Sequence, residues 1–338
     1  MAHERAQRDW HRMRAARIVR DHPEIRALQG PASISALLIA IMVTVQSALA
    51  VVVSEMSWPG VVAAAWVFGA IPALGLFVLL HEGAHGLVMR SRLGNELMMV
   101  IATGPLLLPW ADGFRHYHLE HHRALGVADR DADMPSAWEE RLLGSRGGRV
   151  VWLAAWPFVQ MARLRRCRPR SIMNSLFLAN TVLNAAFAAG LFLVGGPKAL
   201  AFCGLSVAFA FGLHPLGGRI IQEHFTGTSI QPTASYYGAA NRVLFNAGYH
   251  VEHHDFMSVP WLHLPKVRAL GGDHYSRLKC HRSWWATAAH FVWRGLGESC
   301  QPARSQSSPD YAGRLLPAAN PRGEPAWVLF SAHVRDRV

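Results

Sequence analysis

Four stretches of the chain are almost free of charge. Ser33 to Ser54 carries no charged side chain, and neither does Val61 to Leu80. Ser171 to Pro197 runs 27 residues without one, and Ala199 to Gly218 follows with only His214. A helix needs about 20 apolar residues to cross a bilayer. The pattern predicts an all-α integral membrane protein with four transmembrane helices, over about 33–54, 58–80, 172–196 and 199–217. Ser57-Trp58-Pro59-Gly60 predicts a tight turn between the first two. Leu97 to Ala111 is too short to span and is interrupted by Gly104-Pro105 and Pro109, so a re-entrant or interfacial piece is expected. Residues 5–29 set Trp10, Met13, Ile18 and Ile25 among arginines, the pattern of an amphipathic segment at a membrane surface. Val150 to Met161, with Trp152 and Trp156, reads as a helix at headgroup level. The organisation expected is a cytosolic amphipathic segment over 1–32, a membrane domain over 33–300, and a loose Ser-, Pro- and Arg-rich tail over 301–338.

Composition sharpens this picture. Of 338 residues, 51% are hydrophobic and 17% charged, against about 25% charged in an average soluble domain. The net charge of +12 comes mostly from arginine, and its placement matters more than its size. Residues 1–30 hold 7 Lys/Arg, residues 81–170 hold 13 and residues 219–338 hold 13, leaving only Lys198 in the short loops. That asymmetry puts both termini and the long middle loop in the cytosol. No basic stretch is interleaved with aromatics, so nucleic acid is not an expected partner. Residues 1–30 lack an apolar core of signal-peptide type, so the first apolar run is expected to stay as an anchor. Cys167, Cys203, Cys280 and Cys300 form no C-x-x-C pair, which excludes a zinc ribbon or a disulfide framework.

The chemistry is carried by histidine. Eight of 19 histidines fall in three clusters: His81-Glu82-Gly83-Ala84-His85, His118-Leu119-Glu120-His121-His122 and His250-Val251-Glu252-His253-His254. Residues three or four apart share a helix face, so His81 and His85 project together, as do His118 and His122. Adjacent histidines such as His121 and His122 diverge by about 100° at 3.6 residues per turn. They fit two neighbouring metal ions better than one. Imidazole suits iron, zinc, copper or nickel. Glu82, Glu120 and Glu252 sit beside these residues and are expected to orient them from behind. His224, two turns past the fourth apolar run, is a ninth candidate ligand and would make one ion five-coordinate. Lone histidines such as His3, His11, His274 and His333 read as ordinary structural residues, and His116 and His214 are left out of the site. All three clusters lie on the side assigned to the cytosol, within reach of a soluble electron donor and of the lipid below. Transport sites lie near the bilayer midplane instead.

Two other motifs compete. His81-Glu82-Gly83-Ala84-His85 matches H-E-x-x-H, in which one zinc and a glutamate base make a protease. An intramembrane metalloprotease would leave the two H-x-E-H-H clusters without a role. His214-Pro215-Leu216-Gly217-Gly218 is similar to a haem-binding H-P-x-G-G, but it closes a membrane run and reads as a helix terminus.

These boxes resemble those of the membrane fatty acid desaturase and hydroxylase superfamily. Flanking strings are similar to sphingolipid Δ4-desaturases (dihydroceramide desaturases): His22-Pro23-Glu24-Ile25-Arg26-Ala27-Leu28, Asp131-Ala132-Asp133-Met134-Pro135-Ser136, Ser235-Tyr236-Tyr237-Gly238, Asn246-Ala247-Gly248-Tyr249 ahead of the third box, Asp255-Phe256 after it, and Leu264-Pro265-Lys266-Val267-Arg268. The resemblance covers about residues 8–300. It departs at Gly86, where Asn is usual, at Met257, at Ala239-Ala240, and at Arg219, where a His is common. It implies four membrane helices under a cytosolic helical cap that holds two irons on His81, His85, His118, His121, His122, His224, His250, His253 and His254. Asn246 and Asp255 would stand behind them with the three glutamates. It also implies O2 as co-substrate and a separate electron donor, a small b-type cytochrome or a ferredoxin with its reductase. The product would be a Δ4 trans double bond in the sphingoid base of a dihydroceramide-like membrane lipid. A general fatty acyl desaturase or a lipid C4-hydroxylase is the alternative outcome. Trp110, Trp138 and Tyr237 are candidate walls of the substrate path.

Overall fold

Three helices are long and apolar enough to cross a membrane: Ile34–Val53, Trp58–Ala84 and Ser175–Ala210. They belong to a computed structural model that describes residues 2–127, 129–167, 174–225, 231–295 and 301–302. The first two match the expected spans, except that the second runs on through the first histidine box. It also contains a π-helical turn at Ala65–Gly69. Gly69 lies so close to Phe202 and Ser206 that a Cβ there would run into the Ser206 hydroxyl. Apolar side chains on the outer faces are bare, as lipid contact requires: Val52, Phe68, Leu178 and Leu193 are exposed.

The third and fourth expected spans overlap one 36-residue helical run, which ends at Ala210, short of the expected 217, and is broken at Gly196, whose φ of 63° is left-handed and precedes Pro197. The break lies beside the turn between the first two helices, because Lys198 Nζ donates to Met56 O at 2.7 Å. The start of the same run lies at the opposite end, where Asn180 bonds Thr103 and Ala111.

Beyond the apolar helices the chain builds a layer of short helices. Arg92–Thr103 packs along the Trp58–Ala84 helix. It is followed by Ala111–Arg123, Ala137–Leu143, Arg146–Ala154, Trp156–Leu164, Gly218–His224, His250–Asp255, Leu264–Leu270 and Trp284–Arg294. Strand is nearly absent among the described residues: Ser235–Tyr236 pairs parallel with Lys279–His281, which pairs antiparallel with Gln301–Pro302. The expected tail otherwise lies outside the described residues, as does Cys300. Cys167, Cys203 and Cys280 are buried and free.

Two amphipathic stretches bury part of their apolar face in protein. On the amino-terminal helix Ala2–Asp21 and the 3-10 turn Pro23–Leu28, Met13 is exposed. Ile18 and Ile25 are fully buried against Val251, Val259, Val267 and Tyr275. In the stretch 150–161 Trp152 and Trp156 are buried, while Val151, Phe158 and Met161 are exposed. The Trp152 indole donates to Glu139 at 2.7 Å, and Arg163 grips the same carboxylate with neither partner exposed. Amphipathic arginine-rich stretches look alike whether their apolar stripe meets lipid or protein.

The Glu139–Arg163 pair ties the Ala137–Leu143 helix to Trp156–Leu164. Replacing one member of a buried pair leaves an uncompensated charge, which costs about 3–5 kcal/mol. Arg163→Met is expected to lower the midpoint of thermal unfolding in detergent clearly, whereas Arg165→Met should leave it unchanged.

Candidate metal centre

The first histidine box ends a helix, and the manner of its ending matters. His85 caps Trp58–Ala84, and Gly86 follows with φ of 75°. Gly86 N bonds Gly83 O at 3.0 Å and Leu87 N bonds Glu82 O at 2.9 Å, the pattern of a left-handed helix stop. Glycine and asparagine are the residues that enter this conformation most readily. The Gly86 departure from the usual Asn therefore keeps the backbone. His118, His121 and His122 lie on the Ala111–Arg123 helix, His224 ends Gly218–His224, and His250, His253 and His254 lie on His250–Asp255. Phe245 and Asn246 precede the last helix in left-handed backbone, φ 49° and 53°, and turn the chain into it. The Asn246 amide donates to Trp261 O at 3.0 Å and holds that turn.

The nine histidines converge as two groups. His81, His85, His118, His122 and His253 each offer a nitrogen within 4.8 Å of the others, and so do His121, His224 and His254. His250 Nε2 stands 3.1 Å from His224 Nε2, which adds it to the second group. Adjacent His121 and His122 fall in different groups, as the 100° divergence requires. Within the groups Nε2 atoms approach at 2.8 Å for His85–His118, 3.0 Å for His118–His122 and 3.1 Å for His122–His253. Imidazoles sharing an ion at about 2.1 Å each would bring their nitrogens to about 3 Å of one another. His121 Nε2 and His254 Nε2 are buried with no hydrogen-bond partner. Burial first, then the crowded neighbours, pushes the pKa of His118, His122, His250, His253 and His254 well below 6.5, leaving neutral donors. The donor set fits two metal ions.

The groups behind the histidines differ from those expected. Glu82 Oε1 is 3.6 Å from His81 Nδ1, and its other oxygen accepts from Trp261 N at 2.9 Å. Glu120 instead pairs with Arg130. Glu252 accepts from Ser235 Oγ and Tyr237 OH at 2.6 and 2.7 Å, and so braces a loop rather than an imidazole. Asp255 receives His11 at 2.7 Å and Arg14 at 3.3 Å. Besides Glu82, the carboxylates that reach the boxes are Asp131, 2.8 Å from His121 Nδ1, Asp133, and Glu223, 3.7 Å from His250 Nδ1. Burial lowers the pKa of His121, but Asp131 and Asp133 outweigh it and hold the value at about 9.

His11 was expected to be ordinary. It is buried, bonds Asp255 and Thr233, and lays its ring 5.0 Å from that of His254. A lone histidine more than 200 residues away gives no local signal. His214 does cap a turn, accepting from Leu216 N at 3.1 Å.

A cavity of about 460 Å³ opens on both groups. Phe77, Leu106, Val207, Phe211 and Phe245 line it together with His81, His118, His224 and His253. Trp110 contributes to the wall. Tyr237 lies under Arg268 instead, at 3.5 Å, and Trp138 is exposed on the surface.

Apolar helices of membrane length, clustered imidazoles and an apolar cavity ending on them define a class: membrane oxidoreductases that work on hydrocarbon chains. The fatty acid desaturase family matches residues 56–295. The chain is 34% identical over 274 residues to a sphingolipid delta(4)-desaturase DES1-like protein of Oryza sativa subsp. japonica, covering 81% of this chain and 83% of that protein. It is 34% identical to a sphingolipid delta(4)-desaturase of Drosophila melanogaster and 32% identical to a sphingolipid delta(4)-desaturase/C4-monooxygenase of Rattus norvegicus, each over 83% of this chain and 88% of the relative. The chain belongs to the fatty acid desaturase family and is an oxidoreductase.

Asp131→Asn keeps the shape behind His121 and removes its charge. Losing such a group is expected to weaken metal affinity about 10–100-fold, read by metal titration of the purified protein. Glu120→Gln, facing Arg130, should leave affinity unchanged.

Proposed function

We propose that this protein is a di-iron desaturase that introduces a Δ4 trans double bond into the sphingoid base of a dihydroceramide-like lipid. The observation that carries the reading is the apolar cavity that ends on both histidine groups. The relatives named as sphingolipid desaturases support the substrate class. Iron on His81, His85, His118, His122 and His253, and on His121, His224, His250 and His254, would supply the one-electron chemistry that lets O2 oxidise an unactivated carbon. The chain's own residues do the rest. Glu82, Asp131, Asp133 and Glu223 hold imidazoles from behind, and the phenylalanines of the cavity exclude water and hold one stretch of chain against the histidines.

The break at Gly196 divides the last apolar run into two spans, four in all. The histidines then face the cytosol under a cap, with 1–32 folded over the third box, 33–300 forming the desaturase domain and 301–338 following as a tail. Electrons would come from a separate b-type cytochrome or ferredoxin. Against the protease reading, Glu82 is spent on the Trp261 amide and three further histidines crowd His81 and His85.

A second outcome, C4 hydroxylation, is favoured by the relatives that carry both activities in their names. Removal of a C4 hydrogen is common to both. Placement of order 1 Å decides whether the C5 hydrogen is also within reach.

The test is expression in a host lacking the activity, fed dihydroceramide deuterated at C4 and C5. Loss of one label from each carbon is expected. Loss from C4 alone, with oxygen gained, makes the protein a hydroxylase, and double bonds confined to glycerolipid acyl chains overturn the substrate class.

A further inference from the structure

Arg219 stands where a histidine is common, and its surroundings give that change a function. It lies on the Gly218–His224 helix and lines the cavity, with its guanidinium carbon 5.6 and 5.9 Å from the ring centres of Phe77 and Phe211. Its side chain is 11% exposed. One turn on, Glu223 accepts from it and stands 3.7 Å from His250. Among the described residues Glu223 is its one hydrogen-bond partner. A guanidinium has five donors in a rigid fork, so others remain for a ligand in the cavity that Arg219 lines. An ionised group lining an apolar cavity is costly unless its donors are met.

The charge around Arg219 narrows what it can hold. Glu223 already neutralises it, and Asp133 adds a negative charge to the same cavity wall. With Glu223 already pairing its charge, Arg219 needs no anionic partner, and a neutral oxygen would satisfy donors that are costly to leave bare. Arg219 is also one carboxylate away from a box histidine, so the oxygen it would hold shares a cavity wall with His250.

The geometry points to Arg219 as a specificity-determining residue that binds a neutral hydroxyl or amide oxygen next to the reacting carbons, and so selects a hydroxylated amide lipid over a plain acyl chain. This rests on the desaturase reading above and extends it.

The experiment compares purified wild type, Arg219→Met and Arg219→Gln on three substrates: dihydroceramide, its analogue lacking the C3 hydroxyl, and its analogue with the amide carbonyl reduced to CH2. Metal content is measured on each protein. Wild type is expected to prefer dihydroceramide over at least one analogue. Arg219→Met should lose about 10–100-fold in kcat/KM on dihydroceramide and little on that analogue, the loss of a charged hydrogen bond. Arg219→Gln, which keeps donors for both Glu223 and the substrate, should retain part of the preference and covers the case in which the Met variant does not fold. Equal loss on all three substrates makes Arg219 a support for Glu223 only and overturns the inference, as does unchanged preference. Wild type that converts only glycerolipid acyl chains overturns the functional reading and this inference together.

Discussion

Nine imidazoles packed within touching distance, most of them held neutral and His121 held charged by Asp131 and Asp133, fit together best around shared cations. Each buried nitrogen lone pair left without a donor costs free energy, and protonation to supply one would crowd like charges in a dry space. Metal ions remove both difficulties. The rest of the fold follows from bringing those rings to one place: His81 and His85 from the end of an apolar helix, three more from Ala111–Arg123, one from Gly218–His224, and three from a six-residue helix that is too short to stand alone.

That last helix explains the layer around it. Phe245 and Asn246 turn the chain in left-handed backbone, the Asn246 amide locks the turn on Trp261, and Glu82 holds the Trp261 amide from below. The first and third boxes are thus joined through one tryptophan backbone. From the other side the amino-terminal helix lays His11 and Arg14 on Asp255. The apolar helices meanwhile carry a cavity whose phenylalanine walls end at the histidines. One layer has the length and bare apolar surface for lipid, the other orders the imidazoles, and the cavity is lined by residues of both.

Much of this was legible in the order of residues. The apolar runs marked the long helices because a bilayer sets their length, and the spacing within each box marked shared faces because 3.6 residues make a turn. What was not legible depended on partners far along the chain. Glu120 and Glu252 carry the same sequence signal as Glu82, yet Arg130 and the Ser235–Tyr237 loop draw them elsewhere. Asp131, Asp133 and Glu223 do the work expected of them, and only tertiary packing could reveal it. The arginine-rich amino terminus showed the stripe of a surface helix, but part of its apolar side is satisfied by the third box's own shell. Gly86 shows the reverse case: a departure by residue type that is no departure in backbone.

The central claim is that the histidines divide five and four between two ions. Metal analysis of the purified protein, combined with X-ray absorption at the metal edge, tests it most directly. The account predicts two irons per chain, each surrounded mainly by imidazole nitrogen. One zinc per chain, bound by His81 and His85 with the other histidines uninvolved, would contradict it.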